Sequence, residues 1–170
     1  MKRILIATVL ALAMVLVPVS GLAAATTADI TITATPAYIA ITCDQSSYDF
    51  GVVTASSTPS TATTWATVTN QSTVETDQTI AVTTTTWSGG VTWAHSESAT
   101  AGADQAGLLA NRGGTWGVSD ITIKNASPNY LYENKAAGGT YQFGLKLVAP
   151  TSFTDGAQKT ITVRISAVAS

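Results

Sequence analysis

The chain has 170 residues, only 11 % of them charged, and a single cysteine, Cys43, so an internal disulfide is excluded. Removal of Lys2 and Arg3 with a leader leaves six basic residues against ten acidic ones, a net charge near −4. That balance argues against nucleic acid, which wants a basic patch, and against adhesion to anionic lipid by charge. Thr is the commonest residue, with 30 copies. β-Branched Thr favours strands and presents a neutral, hydrogen-bonding outer face.

The first 25 residues read as a cleavable signal helix. Lys2 and Arg3 give a positive start, residues 4–19 are apolar apart from Thr8 and Pro18, and Ala23-Ala24-Ala25 offers small residues to a signal peptidase. The apolar run is short for a membrane span, and no charged stop-transfer stretch follows it. The expectation is a secreted chain beginning near Thr26, with no membrane contact after cleavage. Residues 26–170 are long enough for one domain with a real core.

Strands follow in quick succession. Asp29-Ile30-Thr31-Ile32-Thr33 alternates and Pro36 interrupts it, since proline cannot donate to a ladder. Residues 38–43 resume as a strand that places Cys43 as a small buried residue, or as the half of an intersubunit disulfide. Residues 48–53 predict a short strand with Gly51 at a bulge, and residues 63–70 a strand carrying Trp65 and Val68. Residues 79–87 predict one long Thr-rich strand. Ser88-Gly89-Gly90 predicts a hairpin turn into residues 91–94. Residues 108–110 form a short strand or one helical turn, and residues 120–124 and 129–133 are strands. Residues 141–147 and 159–166 alternate most cleanly, with apolar side chains at the odd positions. Eight to ten strands at short spacing, without a helix beyond the leader, predict an all-β antiparallel β-sandwich.

Asp49-Phe50-Gly51-Val52-Val53, followed by Trp65-Ala66-Thr67-Val68-Thr69-Asn70, resembles the opening of Ig-like surface domains of secreted prokaryotic proteins. Phe50 would plug the core, Gly51 would let the strand kink, and Asn70 would end the next strand in a turn. Phe143-Gly144-Leu145-Lys146-Leu147, with Pro150, resembles the penultimate strand of secreted bacterial and archaeal filament subunits. These resemblances imply an Ig-like or jelly-roll sandwich, a surface-associated life and no active site. Relatives of the second kind polymerise when the N-terminal strand of one subunit completes the sheet of the next.

Catalytic vocabulary is thin. His95 is the only histidine and reads as a partly exposed turn residue, and no Gly-x-Ser-x-Gly elbow accompanies it. Zinc needs more His or Cys than the chain has. Asp104, Asp120, Glu133 and Asp155 lie near loops without the tight acidic run of a calcium loop, and Asp155-Gly156 reads as a turn. A carboxylate pair for glycoside hydrolysis meets only in space and is not legible from the chain. The expectation is no catalytic residue, no metal, no cofactor and no enzyme.

Four tryptophans stand out. Trp65 is assigned to the core. Trp87, Trp93 and Trp116 either pack inside or form a platform for sugar rings. Asn70 and Asn125 fit the N-glycosylation pattern and are otherwise ordinary turn residues. Residues 28–35 carry the main functional expectation: a terminal alternating strand, with Ile30 and Ile32 as its apolar side chains, that pairs either in its own sandwich or with a neighbouring copy. The leading expectation is a secreted structural subunit of a filament, sheath or matrix whose partners are copies of itself, joined head to tail. The alternative is a carbohydrate-binding or adhesive module for extracellular polysaccharide, and a small secreted hydrolase ranks last.

Overall fold

Alternation with a period of two gives the long strands their buried stripe. The computed structural model describes residues 30–170, so the expected leader, its cleavage point and residues 28 and 29 lie outside the described residues. The chain divides after Thr35, and the unit Pro36–Ser170 holds every strand found among the described residues. These are β1 (Ile41–Cys43), β2 (Ala66–Asn70), β3 (Thr76–Val82), β4 (Thr86–Trp87), β5 (Trp93–Ser96), β6 (Gln105–Asn111), β7 (Ile121–Thr122), β8 (Asn129–Lys135), β9 (Thr140–Val148) and β10 (Val163–Ala169). In β2 and β3 every second residue is buried and those between are half-buried, as expected of strands with one face on a core. No helix occurs among the described residues.

The strands form two unequal sheets. The larger has seven strands in the order β1-β2-β9-β6-β5-β4, with β7 paired to β6, and the smaller has three in the order β10-β3-β8. All pairings are antiparallel except β5 with β6. The sheets share one core, in which Ile80, Val82 and Leu131 of the small sheet join Val68, Leu108, Phe143 and Leu147 of the large one. The result is a β-sandwich-like, all-β fold.

Local chemistry moved several expected boundaries. The expected strand over residues 48–53 is not formed: Asp49 Oδ1 accepts the Gly51 N–H at 2.8 Å, and Gly51 adopts a left-handed φ of 68° that turns the chain out of a ladder. Phe50 accordingly packs on the core from its rim and is half-buried, as is Trp65. Residues 30–40 hold no strand; of these, the backbone of Tyr38 and Ala40 bonds to residues 71–73. The long Thr-rich strand is two, β3 and β4, separated by residues 83–85. The turn after β4 forms as expected, with Gly89 and Gly90 at φ 108° and 56°. Residues 108–110, open between strand and helical turn, belong to β6, which lies between β9 and β5.

Buried polar side chains tie the layers. The Tyr141 hydroxyl on β9 donates to Gln78 Oε1 on β3, and Gln78 Nε2 donates to Thr76 Oγ1 at 3.0 Å. Burial, reinforced by neighbouring Cys43 and Tyr132, pushes the Tyr141 phenol well above its ordinary value. Asn70, fully buried, donates its amide to the carbonyls of Val74, Lys135 and Ala136 and accepts the Ser72 N–H at 2.9 Å. It therefore joins the end of β2 to the β8–β9 turn.

Asn70→Ala strands a buried N–H and several carbonyls, and is expected to lower unfolding free energy by about 2–4 kcal/mol in urea titration. Tyr141 gives an alkaline signature. Its folded pKa is raised, so its contribution is intact below about pH 10 and is lost as pH climbs above that. Urea midpoints measured from pH 7 to 11 should fall more steeply at the alkaline end for the native chain than for Tyr141→Phe; equal slopes would contradict this assignment.

Candidate functional site

The small sheet is too narrow to cover the large one, and the shortfall lies beside β10. β10 is an edge strand, paired only with β3. Its register sets Ile165 opposite Ile80 and Val163 opposite Val82. These pairs match in residue type and face the same way, yet Ile80 and Val82 are buried while Ile165 and Val163 are half-buried. The difference arises because no strand of the described residues covers the far side of β10. Leu145 gives the same answer from the opposite layer. It sits within β9 between buried Phe143 and Leu147, yet is itself only half-buried.

The uncovered ground is a groove of about 840 Å³. Its floor includes Phe143, Leu145 and Leu147 of β9. One wall is β10 with residues 157–162, and the other is the chain from Cys43 to Val53. Tyr48 stands edge-on to Phe50 and Trp65, at centroid distances of 4.9 Å and 5.1 Å. Trp87, Trp93 and Phe153 also line the groove, with Trp93 and Phe153 stacked at 5.3 Å.

Charge is sparse here. Asp49, Asp155 and Lys159 are the only charged residues of the lining. Lys159 Nζ donates to Asp155 Oδ1 at 2.5 Å and to the Gly89 carbonyl at 2.6 Å. Asp155 Oδ2 accepts the Val91 N–H at 2.5 Å, so the expected turn dipeptide also fastens the β4–β5 hairpin. The Lys159 bond, and then the Val91 N–H, hold the Asp155 carboxyl below the usual carboxylate range. The arrangement offers an apolar trough with unpaired backbone along its sides, suited to holding an extended chain.

The residues singled out from the sequence are placed as follows. Ile30 and Ile32 are 85 % and 87 % exposed and belong to no strand. Trp87 and Trp93 are 6 % and 7 % exposed and sit in the core cluster, so they form no open surface platform for sugar. Their indole N–H groups have no partner among the described residues. Trp116 is half-buried, donates Nε1 to the Thr61 carbonyl at 3.2 Å, and has Lys146 Nζ 4.5 Å from its ring centroid. That lysine also pairs with Asp120 at 2.9 Å. Burial alone raises the Asp120 carboxyl, but hydrogen bonds from Asn111, Lys146 and the Gly117 N–H outweigh it and hold the group below its ordinary value.

Three expectations need correction. Asn70 is enclosed and its amide is fully engaged, so the folded protein presents no glycosylation acceptor there. Asn125 is half-buried, with its amide donating to the Val82 carbonyl at 3.0 Å. His95 is buried within β5, not exposed in a turn; Nε2 donates to the Ile123 carbonyl at 2.8 Å, and Nδ1 has no partner among the described residues. Cys43 is exposed, not buried, because it lies on edge strand β1 at the rim of the groove. Among the described residues no three of His, Cys, Asp and Glu come together as a metal site.

Sequence reasoning missed Val163, Ile165 and Leu145 as site residues. Alternation marks them as inward-facing, but nothing in their own segments reports that the small sheet leaves part of the large one uncovered. No family model, curated protein or solved structure matches the chain.

The exposure of Cys43 has a direct readout. In native buffer Cys43 is expected to react with a maleimide or disulfide reagent about as fast as in urea, and a native rate suppressed more than tenfold would place the thiol in cover.

Proposed function

We propose that the protein is a secreted structural subunit that assembles into an extracellular filament, sheath or surface matrix, each copy placing residues 28–35 in the groove of the next. The observation that carries the reading is the contrast along β10: Ile165 and Val163 are half-exposed where their register partners Ile80 and Val82 are buried. One further strand beside β10 would cover them, and Leu145 with them.

Residues 30–35 match the groove in chemistry. Ile30 and Ile32 fall on one face of an extended chain, and residues 30–35 carry no charge, like the floor they would meet, Asp29 being the one charged residue of 28–35. Burying the two isoleucines contributes roughly 3–6 kcal/mol, and main-chain hydrogen bonds fix the register. Donation from one copy to the next is a head-to-tail contact that does not close on itself, so it generates a polymer. The leader in residues 1–25, with Lys2, Arg3 and Ala23-Ala24-Ala25, supports secretion. Two stacked sheets of short strands support placing the domain with Ig-like or jelly-roll sandwiches. The polysaccharide-binding alternative loses support from the burial of Trp87 and Trp93 and from Lys146 over Trp116.

Electron microscopy and analytical ultracentrifugation of the processed chain are expected to show fibres or long oligomers. Deleting residues 28–35, or replacing both Ile30 and Ile32 by Asp, should leave monomers. Fibres that survive either change would sink the mechanism, as would a native chain that stays monomeric because its own segment fills its own groove.

A further inference from the structure

Residues 45–53 form most of the second wall of the groove, and their backbone is nearly empty of partners. Among the described residues, the bond from the Gly51 N–H to Asp49 Oδ1 is the one hydrogen bond made by the main chain of residues 45–53. The segment is nevertheless tied down. At its start the Asp44 N–H donates to the Thr67 carbonyl at 3.1 Å, and Asp44 Oδ1 accepts the Thr67 N–H at 2.7 Å. Beyond its end the Ser56 N–H donates to the Pro150 carbonyl at 2.8 Å. Between these ties Phe50 and Val53 pack on the core, whereas Val52 is 100 % exposed.

The segment has the composition of a strand and the hydrogen bonding of a loop. Phe50 and Val53, three residues apart, both turn inward while Val52 is exposed, a spacing set by the Gly51 turn and not by strand alternation. What it lacks is a neighbour, because the groove separates it from β10. Peptide groups that face a trough rather than a ladder depend on water for their bonds. An extended chain laid in the trough meets free main-chain groups on both sides.

We infer that the inserted segment of a second copy is gripped between two backbones, β10 on one side and residues 45–53 on the other. Insertion thereby extends the small sheet from three strands to five, in the order β8, β3, β10, inserted strand, residues 45–53. This inference rests on the assembly reading above and adds the second wall as a pairing surface. The Gly51 turn divides that wall, so pairing occupies its two flanks rather than one unbroken ladder. Edge pairing on one side alone would leave the outer edge of the inserted strand open to solvent and to further chains; two-sided pairing closes it.

The test is hydrogen–deuterium exchange on the full processed chain carrying Ile30→Asp and Ile32→Asp, whose own segment is disabled for insertion, with and without a synthetic peptide of residues 28–35. The peptide is expected to slow exchange at least tenfold both in fragments covering β10 and in fragments covering residues 45–53. Protection confined to β10, or confined to residues 45–53, overturns the two-sided grip while leaving assembly through the groove in place. Protection of neither wall overturns this inference and the assembly reading together.

Discussion

A layer of three strands cannot shield a layer of seven, and most of the distinctive features of this molecule follow from that mismatch. The inner face of the large sheet is apolar along β9 because alternation makes it so, and apolar surface seeks cover wherever it lies. β3 and β8 supply cover over part of that face. Past β10 there is only a trough. A monomeric protein seldom leaves such surface in a continuous strip unless something else is meant to lie on it.

The rest of the sandwich is built to tolerate the gap. Several polar ties lie outside it: Asn70 locks the end of β2 to the β8–β9 turn, and Asn111 gathers the loop before β7 through the carbonyls of Thr115 and Val118 and through Asp120. The Tyr141–Gln78–Thr76 chain crosses between the sheets. These groups are buried and satisfied, so they specify how the layers sit without help from the open side. Along the trough the contacts are mostly aromatic and aliphatic, and such contacts accommodate an added chain without leaving polar groups stranded.

Much of the fold was legible in the sequence because strand periodicity is a local signal. Residues 141–147 and the inward side chains of residues 161–165 were placed correctly from alternation alone, and the Gly89-Gly90 turn was placed from the demand for positive φ. Legibility failed where a distant neighbour decided the outcome. Phe50 and Val53 have strand composition, but a strand is defined by its pairing, and residues 45–53 pair with no strand among the described residues. His95 looked like a turn residue because it follows a short strand; it is interior because β5 runs to Ser96 and lies beside β6. Cys43 looked like a core residue by type, and is exposed because β1 is an outer strand. The candidate site was not readable from the chain, because the trough arises from the relative widths of two sheets, a property no single segment carries.

The place of β9 within the large sheet also governs the order of events when the chain folds. β9 lies between β2 and β6, and each of those strands pairs with it. A polypeptide emerging from its N-terminus displays β2 and β6 long before the strand that unites them exists. The large sheet cannot close until residue 148 has been made, and β3 waits still longer for β10. Folding dominated by such distant pairings is slow, and the half-made sheet is adhesive while it waits. A nascent chain of this design is best carried unfolded and released whole.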